Sequence, residues 1–234
     1  MSQSTQIVEY QQGGQTYEGF LAMPASPPKA VVLVAHAWGG QSSFEQDKAK
    51  LLADWGYAGF AVDVYGKGKR GQTTEECQAL MEPLAGNRVE LQARLAHALD
   101  FAKTEAGTDQ AAAIGFCFGG LSVLDMARTN MAVEGVVSFH GLLGTAGNTV
   151  TEITPKVLAL HGWDDPMATP EDVLAFAQEM DAAKADWQLH AYGATLHAFT
   201  NPEANNPDFG TVYSALADRR SFAACLDFLG ELFG

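Results

Sequence analysis

The sequence has little cysteine, few cations and no long apolar run. Its three cysteines, Cys77, Cys117 and Cys225, are too few and too irregularly spaced for a disulfide framework or a zinc site, so reduced thiols in a cytoplasmic protein are expected. Lys and Arg number 14 against 28 Asp and Glu, a net charge of -14, and cations gather nowhere beyond Lys67-Gly68-Lys69-Arg70. That balance argues against nucleic acid and anionic membranes as partners. An anionic substrate would have to be held by local groups, because the global field repels it. No apolar stretch approaches the ~20 residues of a membrane span. The stretch Met1-Ser2-Gln3-Ser4-Thr5-Gln6 has neither the basic nor the apolar region of a signal peptide. Internal repeats and low-complexity segments are absent too.

What is present is an apolar, regularly alternating chain. Hydrophobic residues make up 47% of 234, with no break in their distribution, so one domain over residues 1–234 is expected. Residues 6–22 alternate polar and apolar around Gly13-Gly14, as a hairpin does. Residues 30–36 and 110–114 read as buried strands, and residues 57–64, 134–140, 156–161 and 187–192 as further strands. Between them lie helical patterns: Phe44, Leu51, Leu52 and Trp55 share one face, and Leu84, Leu91, Leu95, Ala98 and Ala102 suggest one long helix. Thr169-Pro170 with Glu171-Asp172 marks a helix start, and residues 212–233 supply a last helix. Strands alternating with helices predict an α/β fold, a doubly wound and mostly parallel sheet with helices on both faces.

Chemistry concentrates at Gly115-Phe116-Cys117-Phe118-Gly119-Gly120. An apolar strand before it and a helix after it match the nucleophile elbow, with sulfur in place of the serine oxygen. The helix would begin directly behind the sulfur, where its dipole favours a thiolate and a developing oxyanion. Taken alone, the hexapeptide reads equally as a Gly-rich turn around a small buried cysteine.

Two later stretches tip the balance. A cysteine nucleophile needs a base, and the base an orienting acid. In an α/β-hydrolase they follow in the order nucleophile, acid, histidine. His161-Gly162-Trp163-Asp164-Asp165-Pro166 follows one strand and offers two candidate acids, Asp164 and Asp165. His197 alone among six histidines lies in a loop after the final strand. His36, His140 and His161 end earlier strands and read better as satisfied core or turn residues; His97 and His190 read as structural. Oxyanion donors are expected from the N–H of Phe118 and from Trp38, in the loop after the third strand.

These stretches together resemble the dienelactone hydrolases. The likeness runs through residues 31–36, 56–63, 113–120, 136–141, 192–202 and 217–221. It implies an α/β-hydrolase fold and a Cys117, Asp165 and His197 triad, and the pattern G-x-x-D-P selects Asp165 over Asp164. Two positions depart from the family. Ala37 stands where members carry a glutamate near the resting thiol, and Asn201 where dienelactone-cleaving members carry an arginine for the substrate carboxylate. The expectation is therefore a hydrolase of a small-molecule lactone or ester acting through a Cys117 thioester, with Ala37 and Asn201 in the substrate pocket. No metal or organic cofactor is expected, and the protein should be a monomer or small homo-oligomer. The alternatives are a broad carboxylesterase or thioesterase, and a non-catalytic binding protein that kept the fold.

Overall fold

A computed structural model describes residues 3–234; Met1 and Ser2, read above as part of a leaderless start, lie outside the described residues. The chain divides into two compact units, one running to Ile114 and one beginning at Gly115. Eight strands are ordered β1-β2-β4-β3-β5-β6-β7-β8 in one sheet. The β3–β4, β6–β7 and β7–β8 ladders are parallel, while β1–β2 and β2–β4 are antiparallel. The fold is therefore α/β with a mostly parallel sheet.

The first unit opens with the hairpin β1 (Ser4–Gln12) and β2 (Gln15–Met23), paired from Ser4–Met23 to Gln12–Gln15. Its two-residue turn holds Gly13 at φ 58° and Gly14 at φ 80°. Both values lie in the left-handed region that the tightest hairpin turn requires and that glycine enters without strain. Strands β3 (Val31–Ala35) and β4 (Ala58–Val62) are buried at every position. Helix α1 (Ser43–Asp54) starts at a reciprocal cap between Ser42 and Glu45. It lies on the Gly59 face of β4, where any side chain at Gly59 would strike the Ala49 backbone. The opposite face carries Phe60, whose ring meets Phe101 and Tyr10. Helices thus cover both faces, as the unbroken apolar strands require.

The single long helix expected around Leu84 to Ala102 is in fact two. Helix α2 (Thr74–Ala85) ends at Gly86, and α3 (Arg88–Ala106) starts again at Asn87, whose side chain accepts the Glu90 N–H. Both halves present apolar residues at helical spacing, so periodicity alone hides the break. Within α2, Pro83 has no N–H for the Ala79 carbonyl four residues earlier. Strand β5 (Ala111–Phe116) carries the chain across the division.

The second unit contains α4 (Phe118–Arg128), β6 (Gly135–Phe139), β7 (Lys156–Gly162), α5 (Pro170–Ala182), β8 (Trp187–Tyr192) and α6 (Ala215–Phe233). Thr169 and Asp172 cap α5 as the sequence predicts. A short pair, β9 (Asn205–Asn206) and β10 (Thr211–Val212), occupies residues expected as loop and as the first turn of the last helix. Phe222 of α6 stacks on Phe139 at 4.8 Å, and Phe176 of α5 meets Trp187 edge-on. Phe139 aligns through Leu160 with His190, three positions from Trp187. Since side chains alternate along a strand, α5 and α6 lie on opposite faces. Arg128 is fully buried and bonds Asp125, Glu179 and the Leu143 carbonyl, fixing α4, α5 and the loop after β6 together.

Candidate active site

Cys117 sits between β5 and α4 with φ 56° and ψ -115°. A non-glycine residue there is strained by about 1–3 kcal/mol, and such strain persists only where the surroundings enforce it. The enforcement is visible. The Cys117 N–H bonds the Phe139 carbonyl at 3.1 Å, and the Cys117 carbonyl accepts the Leu121 N–H at 3.2 Å as the first helical bond. A side chain at Gly115 would lie 2.0 Å from the Gly119 carbonyl oxygen, and one at Gly120 would lie 2.6 Å from Gly141 Cα. The glycines let the helix approach the strand closely enough to present the sulfur at the helix start. Cys117 remains partly exposed while Cys77 and Cys225 are buried.

The Asp165 and His197 loops meet in the same unit. His197 Nδ1 lies 2.7 Å from Asp165 Oδ2, and both residues are 2% exposed. Asp165 Oδ1 accepts the Met167 N–H at 2.8 Å, so both carboxylate oxygens are engaged. Backbone bonds hold the pair: Asp164 N–H to Thr195 O, Trp163 N–H to Tyr192 O, and His197 N–H to Gly210 O. Asp164 itself is exposed, which separates the two neighbouring aspartates. Burial is the largest single influence on His197 and opposes its charged form. The Cys117 sulfur and the Asp165 carboxylate together outweigh it and push the imidazole up to about 10. Nε2 has no hydrogen bond of ordinary geometry, yet the charge of Cys117 acts on the ring strongly. An imidazole that a neighbouring thiol acts on and a buried carboxylate backs is the arrangement that acyl transfer uses.

Residues 17–233 match the Dienelactone hydrolase family. The chain belongs to it. A dienelactone hydrolase-like promiscuous phosphotriesterase from metagenomic libraries is 32% identical, with a TM-score of 0.93 and all of both chains covered. The solved protein named m3DLH is 30% identical, with a TM-score of 0.94 over all of both chains. The carboxymethylenebutenolidase of Pseudomonas putida is 25% identical over 94% of this chain and 93% of its own. Family and relatives support a lactone or ester hydrolase.

The remaining expected residues divide between the units. Phe118 is fully buried as the first residue of α4. Ala37 and Trp38 belong to the first unit. The Ala37 N–H points at Glu45 Oε1 at 3.3 Å, and the Trp38 carbonyl accepts the Tyr65 hydroxyl at 2.9 Å. Asn201 is in the second unit and spends Oδ1 on the Glu203 N–H at 3.0 Å, so it serves a turn. Among the described residues, no group of three His, Cys, Asp or Glu could hold a metal ion, and no helix is long and apolar enough to cross a membrane.

The strand-end histidines differ from one another. His36 is a satisfied core residue: Nδ1 meets the Ala37 carbonyl at 2.7 Å and Nε2 accepts the Val64 N–H at 3.3 Å. His140 is closer to the chemistry than its sequence position suggests. Its ring stands edge-on to His197 at 5.1 Å and its Nε2 meets Thr200 Oγ1 at 2.8 Å. His140 also adopts φ 38°; an unusual backbone at a strand end leaves no pattern in the sequence. His161 is buried, and burial pushes its imidazole down.

Proposed function

We propose that residues 1–234 act as one catalytic domain, a cysteine hydrolase of lactones or small carboxylic esters. The observation that carries the reading is the 2.7 Å bond from His197 to the buried Asp165, with the strained Cys117 acting on the same imidazole.

In the resting enzyme the proton resides on His197 and the sulfur is a thiolate. The thiolate attacks the ester carbonyl, and the carbonyl π-bond electrons move to oxygen. The Phe118 N–H receives that oxyanion. Collapse of the tetrahedral intermediate breaks the bond to the alkoxy oxygen, which takes the proton from His197 Nε2. A thioester on Cys117 and a free alcohol result, the alcohol still tethered when the substrate is a lactone. Neutral His197 then removes a proton from water, hydroxide attacks the thioester, and the carboxylic product leaves as the thiolate–imidazolium pair re-forms. Asp165 keeps Nδ1 protonated and stabilises the cation throughout. No step requires a metal or cofactor.

Asn201 supports neutral substrates over carboxylated ones, since its side chain carries no charge to pair with a carboxylate. The 32% identical phosphotriesterase supports a second reaction at the same sulfur, cleavage of phosphotriesters. The deciding experiment is p-nitrophenyl acetate turnover by wild type and Cys117→Ala, with paraoxon as a parallel substrate. Loss of ester turnover in a variant that melts normally is expected. Activity within tenfold of wild type rejects the cysteine mechanism. Any Cys117-dependent rate rejects the binding-protein alternative.

A further inference from the structure

A cavity of about 240 Å³ lies in the first unit and is lined by Tyr65, Lys69, Leu80, Pro83, Leu84 and Arg94 among others. Its volume is below that of drug-sized pockets, which fits a ligand of roughly ten heavy atoms. The walls are of two kinds. The α2 side is apolar, with Leu80, Pro83 and the buried Leu84. Lys69 and Arg94 add two cations with unspent donors to the lining.

Arg94 is held rigidly. Its Nε bonds Glu90 at 2.7 Å, its Nη1 bonds the Val64 carbonyl at 2.7 Å, and its guanidinium lies over the Tyr17 ring. Nη2 has no hydrogen-bond partner among the described residues. Glu90 offsets part of the Arg94 charge, so the net positive charge comes from Lys69. Lys69 makes only backbone bonds among the described residues, to Gly66 and Arg70, and its ammonium has no acidic partner. In a chain of net charge -14, acidic groups are plentiful, yet the exposed Lys69 has none as a partner among the described residues and lines the same cavity as the spare guanidinium donor.

We infer that this cavity binds a small carboxylate with a compact apolar body, the carboxylate on Lys69 and Arg94 Nη2 and the body against Leu80, Pro83 and Leu84. The charge-assisted bond to Lys69 supplies selectivity for the anion over its neutral isostere. The cavity also adjoins the loop after β3, because the Tyr65 hydroxyl that borders it donates to the Trp38 carbonyl.

Isothermal titration of the full-length protein with benzoate tests the inference, with benzamide as the uncharged isostere. Benzoate is expected to bind at least tenfold more tightly than benzamide. Lys69→Ala should weaken benzoate about tenfold and leave benzamide unchanged, and Leu80→Trp, which fills the cavity, should abolish both. Neither position belongs to the catalytic machinery, so p-nitrophenyl acetate turnover should stay at the wild-type rate in both variants, which separates this site from the hydrolytic reading. Should Leu80→Trp fail to fold, Lys69→Ala decides, since that side chain is on the surface. Equal affinities for benzoate and benzamide, or benzoate binding that Lys69→Ala leaves unaltered, overturns the inference.

Discussion

Replacing Asp165 with asparagine isolates one atom of the site. The carboxylate is 2% exposed, and each oxygen has one partner: Oδ2 receives the His197 Nδ1–H at 2.7 Å and Oδ1 receives the Met167 N–H at 2.8 Å. Asparagine can keep the second bond through its carbonyl oxygen, so the loop should stay in place. The first bond then reverses, because an amide nitrogen can only donate. His197 would have to accept at Nδ1, placing its proton on Nε2 and removing its capacity as a base. The loss of charge acts in the same direction, since burial opposes the imidazolium and Asp165 is one of two groups that offset it. An equivalent change of tautomer in a serine triad lowers kcat about ten-thousandfold, or about 5 kcal/mol of transition-state stabilisation. The assay is p-nitrophenyl acetate hydrolysis beside a thermal melt, with Asp164→Asn as the exposed control. Asp165→Asn should lose between a thousandfold and ten-thousandfold in kcat/KM while Asp164→Asn stays within threefold. A loss under tenfold for Asp165→Asn, or the reverse order of the two, refutes the assignment.

Further expectations concern pH, specificity and the elbow. His197 is pushed up to about 10, so the imidazolium that protonates the leaving group persists up to that value; kcat/KM should hold a plateau through neutral pH and fall as pH passes about 10, and a fall centred near the ordinary ~6.5 would refute the ion pair. With Cys77 and Cys225 changed to serine, iodoacetamide alkylation of Cys117 should show a midpoint well below the ~8.5 of a free thiol; a midpoint at or above it would mean that substrate must trigger activation. In a substrate panel, neutral esters should equal or exceed a carboxylated lactone in kcat/KM, as the missing charge-assisted anchor is worth about 1.5–3 kcal/mol. A preference for the carboxylated lactone would show that another cation takes the place of the missing arginine. Gly115→Ala places a methyl 2.0 Å from a backbone oxygen and should cost about 1–3 kcal/mol by overpacking, read as a lowered Tm together with lost activity; an unchanged melt would show that the elbow can relax.

Local patterns and chain order were enough to fix much of this protein. Apolar runs named the strands at the centre of the sheet, because a strand buried on both faces admits few polar residues; β8, which carries Gln188 and His190, is only partly buried. Gly13-Gly14 named a hairpin turn, because only glycine enters both left-handed positions cheaply. The G-x-C-x-G elbow and the last-loop histidine pointed to Cys117 and His197, because an α/β sheet brings strand-end loops to one edge, while the chain alone left two aspartates open and the family resemblance implied Asp165. Periodicity failed where two elements share one phase: α2 and α3 both continue the Leu84 to Ala102 pattern, and only the Asn87 cap divides them. The β9–β10 pair escaped notice because two-residue strands carry no alternation. What tertiary structure alone decided is electrostatic and steric. Asp165 is buried while its neighbour Asp164 is exposed, a difference that adjacent identical residues cannot express in sequence. The edge-on packing of His140 against His197 joins residues 57 positions apart, and no local signal encodes it. The shift of His197 arises from the balance between burial and two neighbouring groups, a sum over positions in space that no spacing in the chain can state.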